Sequence, residues 1–268
     1  MRVSSFAFPI YNENMSIYDR YAEVYDESGQ IGFSLHMIPY LDELLQHYPA
    51  PGHSMLDLAC GTGTVALSFA QRGWEVYGID GSATMLDQAR RKAQQTGQQV
   101  ALSQQDMRHF TMPHPVALIT CLYDSLNYML TLADLRQVLT RVAAELLPDG
   151  LFVADMNTRE ALEHAWDNNT FFVEGTHLAI VMDSSHEPET GLSTVHIVGF
   201  VQQANGLYDR FEEHHTEAAY ENKVIRSALE GADLHVEAVF ECFSLDAPDE
   251  QTRRVMWVAR KRTIPEDR

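Results

Sequence analysis

Basic residues and cysteines are both scarce in this sequence, and each scarcity excludes a class of protein. Lysine and arginine together number 19 against 38 aspartates and glutamates, so the net charge is −19 over 268 residues. A surface of that sign repels phosphate backbones, and we therefore expect no nucleic-acid partner. The three cysteines, at positions 60, 121 and 242, are too few and too scattered for a disulfide framework.

Long apolar runs are missing as well. No stretch approaches the roughly 18 consecutive apolar residues that are needed to span a bilayer, so we expect no membrane association. The first residues also lack the basic segment and apolar core that are typical of a secretory signal. These features together predict a cytoplasmic protein.

Several catalytic motifs are absent too. The sequence contains no Gly-x-Ser-x-Gly elbow, Walker-type loop or His-Glu-x-x-His pair, so hydrolase and kinase functions have no support. The run Glu-Glu-His-His at 212–215 has residue types that bind metals, but adjacent residues of a strand point to opposite faces, so at most alternate members converge. We predict no metal site, and we expect that one of His214 or His215 faces a substrate.

The most informative segment is Met-Leu-Asp-Leu-Ala-Cys-Gly-Thr-Gly-Thr at 55–64. An apolar run ends in an acid, a glycine turn follows, and residues 65–70 then have a helical apolar pattern. This order predicts the start of a βαβ nucleotide-binding unit. Gly61 and Gly63 lack a Cβ, so a ligand can lie against the backbone there. A third glycine three positions later is missing, so the dinucleotide-binding fingerprint is incomplete.

A second strand-like run, at 75–80, ends in Asp80. An acid at this strand tip suits a ribose diol, because both hydroxyls can donate to one carboxylate. With Gly81-Ser82 and Met85-Leu86, these segments resemble the class I S-adenosylmethionine-dependent methyltransferases. The resemblance implies an α/β fold with a Rossmann-like, doubly wound, mostly parallel seven-stranded sheet. It also implies S-adenosylmethionine as cofactor and S-adenosylhomocysteine as product.

The remaining elements follow from periodicity and from turn and capping residues. The predicted helices cover 34–48, 84–95 with Ser82 as N-cap, a segment after the cap Thr131, and 219–230. The predicted strands of the parallel part cover 100–104, 116–122 and 151–156, the last after a tight turn at 147–150, and a final pair covers 234–243 and 253–260.

From 157 to 218 the parallel pattern stops. Three strands are predicted, at 171–182, 193–203 and 207–216, and they are antiparallel because no crossover helix fits between them. We therefore expect a methyltransferase domain built from 1–156 and 219–268, with 1–50 as an N-terminal helical lid. The inserted sheet, 157–218, is expected to cover the substrate.

The resemblance also implies a set of cofactor-binding residues. The segment 18–26 matches the pattern Tyr-Asp-x-x-Ala-x-x-Tyr-Asp of a lid, although the spacing alone favours tyrosines that anchor a helix in the core. Asp106 would accept from the adenine amine while Met107 covers the ring. The full set comprises Tyr18, Tyr25, Asp57, Ala59, Gly61, Gly63, Asp80, Gly81, Met85, Gln105, Asp106, Met107 and Leu122.

Methyl transfer from a sulfonium is an in-line displacement, so alignment supplies much of the rate. Tyr123 and Asp124, which end the fourth strand, and His214 are the candidate catalytic residues, and Asp124 is equally suited to hold the cofactor's ammonium group. The Asn/Asp-Pro-Pro-Tyr/Phe signature of nucleobase and amide methyltransferases is absent. We expect transfer to a nitrogen or oxygen atom of a small metabolite. The alternative is a protein that binds the cofactor without turnover or methylates a macromolecule, and a homodimer is left open.

Overall fold

A computed structural model describes residues 17–262, and its largest element is a seven-stranded sheet. The strand order is β10-β11-β5-β4-β1-β2-β3, and only β11 runs antiparallel to its neighbours. The strands are β1 (Ser54–Leu58), β2 (Glu75–Asp80), β3 (Ala101–Gln104), β4 (Val116–Cys121), β5 (Leu146–Asn157), β10 (Leu234–Glu241) and β11 (Arg254–Lys261). This confirms the predicted fold class.

Within residues 17–262, five helices cover this sheet: α1 (Ile31–His47), α2 (Thr64–Gln71), α3 (Ala83–Thr96), α4 (Leu132–Glu145) and α5 (Asn222–Gly231). Ser82 caps α3 by accepting from the Met85 backbone N–H, and Thr131 caps α4 in the same way, as predicted. None of the helices in the described part of the chain is long and apolar enough to cross a membrane.

The core lies on both faces of the sheet because alternate strand residues point to opposite sides. Met55 and Leu118 pack with α1 and α2, whereas Leu56 and Ile119 pack with α4 and α5. All four side chains are fully buried. Burying an aliphatic side chain of this size contributes roughly 1.5–3 kcal/mol. The central strands therefore hold their carboxyl ends at a fixed edge of the sheet.

A second sheet has the order β6-β7-β8-β9, all antiparallel, with strands β6 (Asn169–Glu174), β7 (Leu178–Glu187), β8 (Leu192–Gln202) and β9 (Tyr208–Ala218). Its inner face buries Ile180, Ile197 and Phe211 against Tyr21 and Val24 of the N-terminal segment. The four-stranded sheet and residues 17–30 thus form one packed unit.

Three local predictions were wrong. The region 171–182 is two strands rather than one, because the chain turns at Gly175, whose N–H donates to the Leu178 carbonyl. Apolar residues on both sides of that turn conceal it in the sequence. The predicted turn at 147–150 lies within β5, where the pairing with β4 shifts register.

The third concerns the lid. Residues 18–25 form turns around a short 3₁₀ helix, Tyr21–Glu23, and Tyr18 has a φ of 60°, so they do not form the predicted helical face. The part of the predicted lid before residue 17 lies outside the described residues.

Candidate active site

A cavity of about 960 Å³ lies at the carboxyl ends of β1, β2 and β4, the edge at which ligands bind in open α/β sheets. The N-terminal segment and β9 form its other wall. All but two of the residues predicted from the sequence line this one cavity. They are Tyr18, Tyr25, Asp57, Ala59, Gly61, Asp80, Gly81, Met85, Gln105, Asp106, Met107, Leu122, Tyr123 and His214. Gly63 and Asp124 are the exceptions.

Asp80, the acid at the end of β2, is hydrogen-bonded to the glycine turn after β1. Its carboxylate accepts from the backbone N–H of Gly61 and of Ser82, each at 2.8 Å. Burial raises the pKa of Asp80 despite these hydrogen bonds. Because each carboxylate oxygen has a further lone pair, the half-buried side chain can still accept from hydroxyls of a ligand in the cavity.

Gly63 packs closely against α3, and the cofactor contact predicted for it stays a prediction. It does not line the cavity, and a Cβ at this position would lie 2.9 Å from the Cβ of Ala89 on α3. Its φ of +75° also lies in the left-handed region. Gly63 is therefore needed for close packing between the turn and α3, whereas Gly61, at φ +53°, lines the cavity.

Asp57 and Asp106 lie in contrasting surroundings. Asp57 is 3% exposed and accepts from the Thr120 hydroxyl at 2.8 Å, and burial raises its pKa to about 7. Asp106 is exposed, and hydrogen bonds from Arg108 lower its pKa. The Arg108 Nη2 lies 2.5 Å from the Asp106 carboxylate, so a ligand amine there would share the acid with Arg108.

Tyr123 and Asp124 both have left-handed backbones, with φ of 56° and 51°. The Asp155 carboxylate holds them by accepting both backbone N–H groups, at 2.6 and 3.1 Å. Strain of this kind persists only where surrounding groups hold it. The Tyr123 ring stacks on Phe33 at 4.1 Å and faces the cavity.

Asp124 is buried behind this wall. Its carboxylate accepts from Arg254 Nη1 at 2.8 Å and from Asn157 Nδ2 at 3.1 Å. Arg254 also binds Asp155 at 2.5 Å. Asn157 also donates to Glu217, whose pKa is raised by burial and then by the charge of Asp124. Asp124 therefore belongs to a buried polar network rather than to the cavity surface.

In the opposite wall, Glu213 of β9 holds the N-terminal segment in place, and its side chain is buried, at 5% exposure. Its carboxylate accepts from the backbone N–H groups of Tyr18, Arg20 and Tyr21, each at 2.8 Å. Burial alone would raise the pKa of Glu213, but hydrogen bonds from His215 and from these N–H groups lower it. An ionised carboxylate thus fixes the N-terminal segment on the four-stranded sheet.

His215 lies beside Glu213 on the same face of β9. Its Nε2 is 3.0 Å from Glu213 Oε2, and its Nδ1 is 2.9 Å from the Tyr128 hydroxyl. That hydroxyl lies 2.9 Å from the hydroxyl of Tyr18. Tyr128 was not among the predicted site residues, and His215 was predicted only as an alternative to His214. Strand periodicity groups 213 with 215, but it does not show which face is buried.

His214 points to the other face of β9. Its ring stacks on His196 of β8 at 4.3 Å, and Glu212 is nearby. Within residues 17–262 these three form the one group that could hold a metal, with ligand atoms within 4.8 Å of one another. Arg210 is paired with Glu212, and burial lowers the pKa of both histidines. The expectation of no metal site stays a prediction.

Residues 55–150 match the model of a family described as a methyltransferase domain. The predicted methyltransferase YqeM of Bacillus subtilis is 29% identical over 248 residues, 91% of this chain and 97% of that protein. The dTDP-3-amino-3,6-dideoxy-alpha-D-glucopyranose N,N-dimethyltransferase of Streptomyces fradiae is 30% identical over 202 residues, 74% of this chain and 76% of the relative.

Among solved structures, an S-adenosylmethionine-dependent methyltransferase from Clostridium acetobutylicum superposes with a TM-score of 0.82 at 25% identity. The match covers 92% of this chain and 100% of that one. The fold, the position of the cavity at the carboxyl ends of the strands and these relatives all indicate the same family. The chain therefore belongs to the class I S-adenosylmethionine-dependent methyltransferases, and S-adenosylmethionine is its cofactor.

Proposed function

We propose that this enzyme transfers a methyl group to the amine nitrogen of a small molecule held in the cavity. The observation that carries the proposal is the charge of the cavity lining. The described lining contains four acids, Asp57, Asp80, Asp106 and Asp134, against the single cation of Arg108, and it stays acidic although burial raises the pKa of Asp57 and of Asp80. Arg108 is itself bound to Asp106 and Asp134. Such a lining favours a neutral or cationic substrate over an anionic one.

The residues of the sheet wall fit the cofactor chemically. We assign the ribose hydroxyls to Asp80, the adenine amine to Asp106, and the apolar cover of the ring to Met107 and Leu122. The other cofactor contacts are assigned to Tyr18, Tyr25, Asp57, Ala59, Gly61, Gly81, Met85 and Gln105. When bound, the cofactor supplies an electrophilic methyl group on a sulfonium.

The rest of the cavity is assigned to the acceptor. Tyr123 and His214 lie on the lining and can orient it, and alignment with the methyl group supplies much of the rate. We propose residues 157–218 as the substrate cover and residues 1–156 with 219–268 as the catalytic domain. The relative from Streptomyces fradiae is named for N,N-dimethylation of a dTDP-linked amino sugar, which supports a nitrogen acceptor but not the absence of an anionic group. A cytoplasmic location and the absence of a nucleic-acid partner are supported by the net charge of −19 and three unpaired cysteines.

Two measurements test the proposal. Titration calorimetry with S-adenosylmethionine should show binding to wild type, and Asp80→Ala should weaken it by about 2 kcal/mol, roughly 30-fold, because charge-assisted hydrogen bonds are lost. Asp87→Ala, an exposed acid of α3 paired with Arg90, is the control and should bind normally. Equal affinity of the Asp80 variant would overturn the ribose assignment.

The second measurement follows labelled methyl transfer to a panel of amines: free amino sugars, the same sugars linked to dTDP, and glycine. Transfer to the free amino sugars is expected, whereas a requirement for the dTDP group would contradict the argument from lining charge. Binding without transfer to any amine would favour a protein that holds the cofactor without turnover, or one that methylates a macromolecule.

A further inference from the structure

A chain of four polar side chains leads from the cavity into the second wall. Tyr18 and Tyr128 line the cavity, and their hydroxyls are 2.9 Å apart. The chain continues through His215 Nδ1, at 2.9 Å from Tyr128, and ends at Glu213, at 3.0 Å from His215 Nε2. We propose that this chain carries a proton from the substrate amine to His215, an inference that rests on the proposed function.

The direction of the hydrogen bonds follows from Glu213. This carboxylate accepts three backbone N–H groups, and an ionised carboxylate can only accept, so His215 Nε2 must donate to it. In a neutral imidazole the other nitrogen, Nδ1, is then an acceptor. Tyr128 therefore donates to His215 and accepts from Tyr18. One lone pair of the Tyr18 oxygen is left for a donor in the cavity.

The two tyrosines pass a proton rather than keep it. Burial, together with the neighbouring phenol of Tyr128 and nearby negative charge, raises the pKa of Tyr18 well above its usual value. Burial, together with the charges of Glu217 and Asp124, likewise raises the pKa of Tyr128. Both phenols are therefore protonated at neutral pH, and neither is a base by itself. Only the imidazole at the end of the chain can accept an additional proton.

The transfer balances as follows. An N–H bond of the substrate ammonium breaks, its electron pair stays on nitrogen, and the proton bonds to the Tyr18 oxygen. Tyr18 passes its own proton to Tyr128, and Tyr128 passes its proton to Nδ1 of His215. The products are a neutral amine and an imidazolium beside the Glu213 carboxylate, with both tyrosines unchanged. The free amine then has the lone pair that attacks the methyl group, and the proton returns along the chain after product release.

The surroundings of His215 suit this role. Its charged and titratable neighbours are Glu213 on the same strand, Tyr18 and Tyr21 with ring centroids at 4.5 and 6.4 Å, and Tyr128 from the loop after β4. Asp124 and Glu217 act on the tyrosines. His214 is adjacent in sequence but points to the opposite face of the strand. The imidazolium thus forms beside the Glu213 carboxylate and among neutral phenols.

Tyr128→Phe and His215→Gln test the chain with little change in shape. With the amine that wild type methylates best, each should lower kcat by 100-fold or more, within the range of a lost general base. His215→Gln should also change the dependence of kcat on pH, because the group that accepts the proton is gone. Affinity for S-adenosylhomocysteine should change by less than about threefold, because Tyr18 is the one assigned cofactor residue to which Tyr128 or His215 is seen to hydrogen-bond in the described part of the chain.

Two matched variants control for lost hydroxyl and imidazole groups. Tyr40→Phe removes a buried hydroxyl that donates to the Ser244 carbonyl away from the cavity, and it should leave kcat unchanged. His214→Gln should alter KM but not the pH profile. A wild-type pH profile in both Tyr128→Phe and His215→Gln, with kcat within threefold, would overturn the relay.

A nitrogen NMR measurement separates failure of the relay from failure of the proposed function. In the complex with S-adenosylhomocysteine, His215 should carry its proton on Nε2, with Nδ1 bare. The opposite tautomer would overturn the relay whatever the activity. If wild type transfers no methyl to any amine, the proposed function fails on that result, and the relay is then decided by the tautomer alone.

Discussion

Two carboxylates, those of Asp57 and Glu213, are buried to nearly the same degree in opposite walls of the cavity, at 3% and 5% exposure. Their pKa values nevertheless shift in opposite directions. Burial raises the pKa of Asp57 to about 7, with only the Thr120 hydroxyl and the Ala66 backbone N–H to offset it. For Glu213, His215 and three backbone N–H groups outweigh burial and lower the pKa. The hydrogen-bond donors, His215 first among them, therefore outweigh burial at Glu213 but not at Asp57.

The same difference shows how each wall is assembled. The sheet wall comes from short segments that each follow a strand, whereas Glu213 joins residues 192 to 195 positions apart in the chain. The consequences for stability have opposite signs. A carboxyl group whose pKa is lowered by folding stabilises the protein at any pH above its pKa in the unfolded chain. This stabilisation is lost as the pH falls through the pKa of the folded state. A carboxyl group whose pKa is raised, such as that of Asp57, makes the folded protein less stable as the pH rises from about 4 towards 7.

Removing the Glu213 carboxylate should have the largest effect. Glu213→Ala leaves three backbone N–H groups and His215 without their acceptor, so the free energy of unfolding should fall by about 3 kcal/mol or more. Urea denaturation measures the loss. Hydrogen exchange should quicken at the amides of Tyr18, Arg20 and Tyr21, which donate to this carboxylate.

Glu212→Ala is the matched control. Glu212 is the preceding residue on the opposite face of β9, with 28% of its side chain exposed and Arg210 as a partner. Its loss should cost less than about 1 kcal/mol, as for other exposed ion pairs. Equal losses in the two variants would mean that Glu213 does not hold the N-terminal segment.

Replacing the Asp57 carboxylate should instead change the pH dependence of stability. Asp57→Asn keeps an acceptor for Thr120 but cannot ionise. Relative to wild type, its free energy of unfolding should rise by about 3 kcal/mol between pH 5 and pH 8, since one unit of pKa shift corresponds to about 1.4 kcal/mol. Urea denaturation of the ligand-free protein at each pH gives this difference. A difference that does not change with pH would show that the Asp57 pKa is ordinary in the folded protein.

The sheet wall was predictable from the sequence because each of its signals is local. The acid, the glycine turn and the N-cap follow their strands within a few residues, so Asp80, Gly61 and Ser82 could be placed without tertiary information. The seven-stranded sheet was predictable for the same reason, because its strands and helices alternate in the chain.

The second wall was not predictable in this way. Whether His214 or His215 is buried beside the N-terminal segment depends on which face of β9 packs against Tyr21, and a period of two is the same for both faces. The Tyr128 contact joins residues 87 positions apart. Asp124 was expected on the cavity surface, but Arg254, which binds it, lies 130 residues away and carries no sequence signal for that pairing.

The smallest predicted effect concerns two glycines, Gly63 and Gly73, which lie at the two ends of α2. Gly63→Ala must accommodate a left-handed φ of +75° and a Cβ 2.9 Å from Ala89, whereas Gly73→Ala meets only the φ of +84°, with nothing within 4 Å. The left-handed backbone costs about 1–2 kcal/mol in each, and overpacking adds about 1 kcal/mol or more at Gly63 alone. Thermal unfolding should therefore show Gly63→Ala as the less stable variant. If the two lose equal stability but only Gly63→Ala binds S-adenosylmethionine more weakly, Gly63 acts through the ligand after all, and the packing role assigned to it here is wrong.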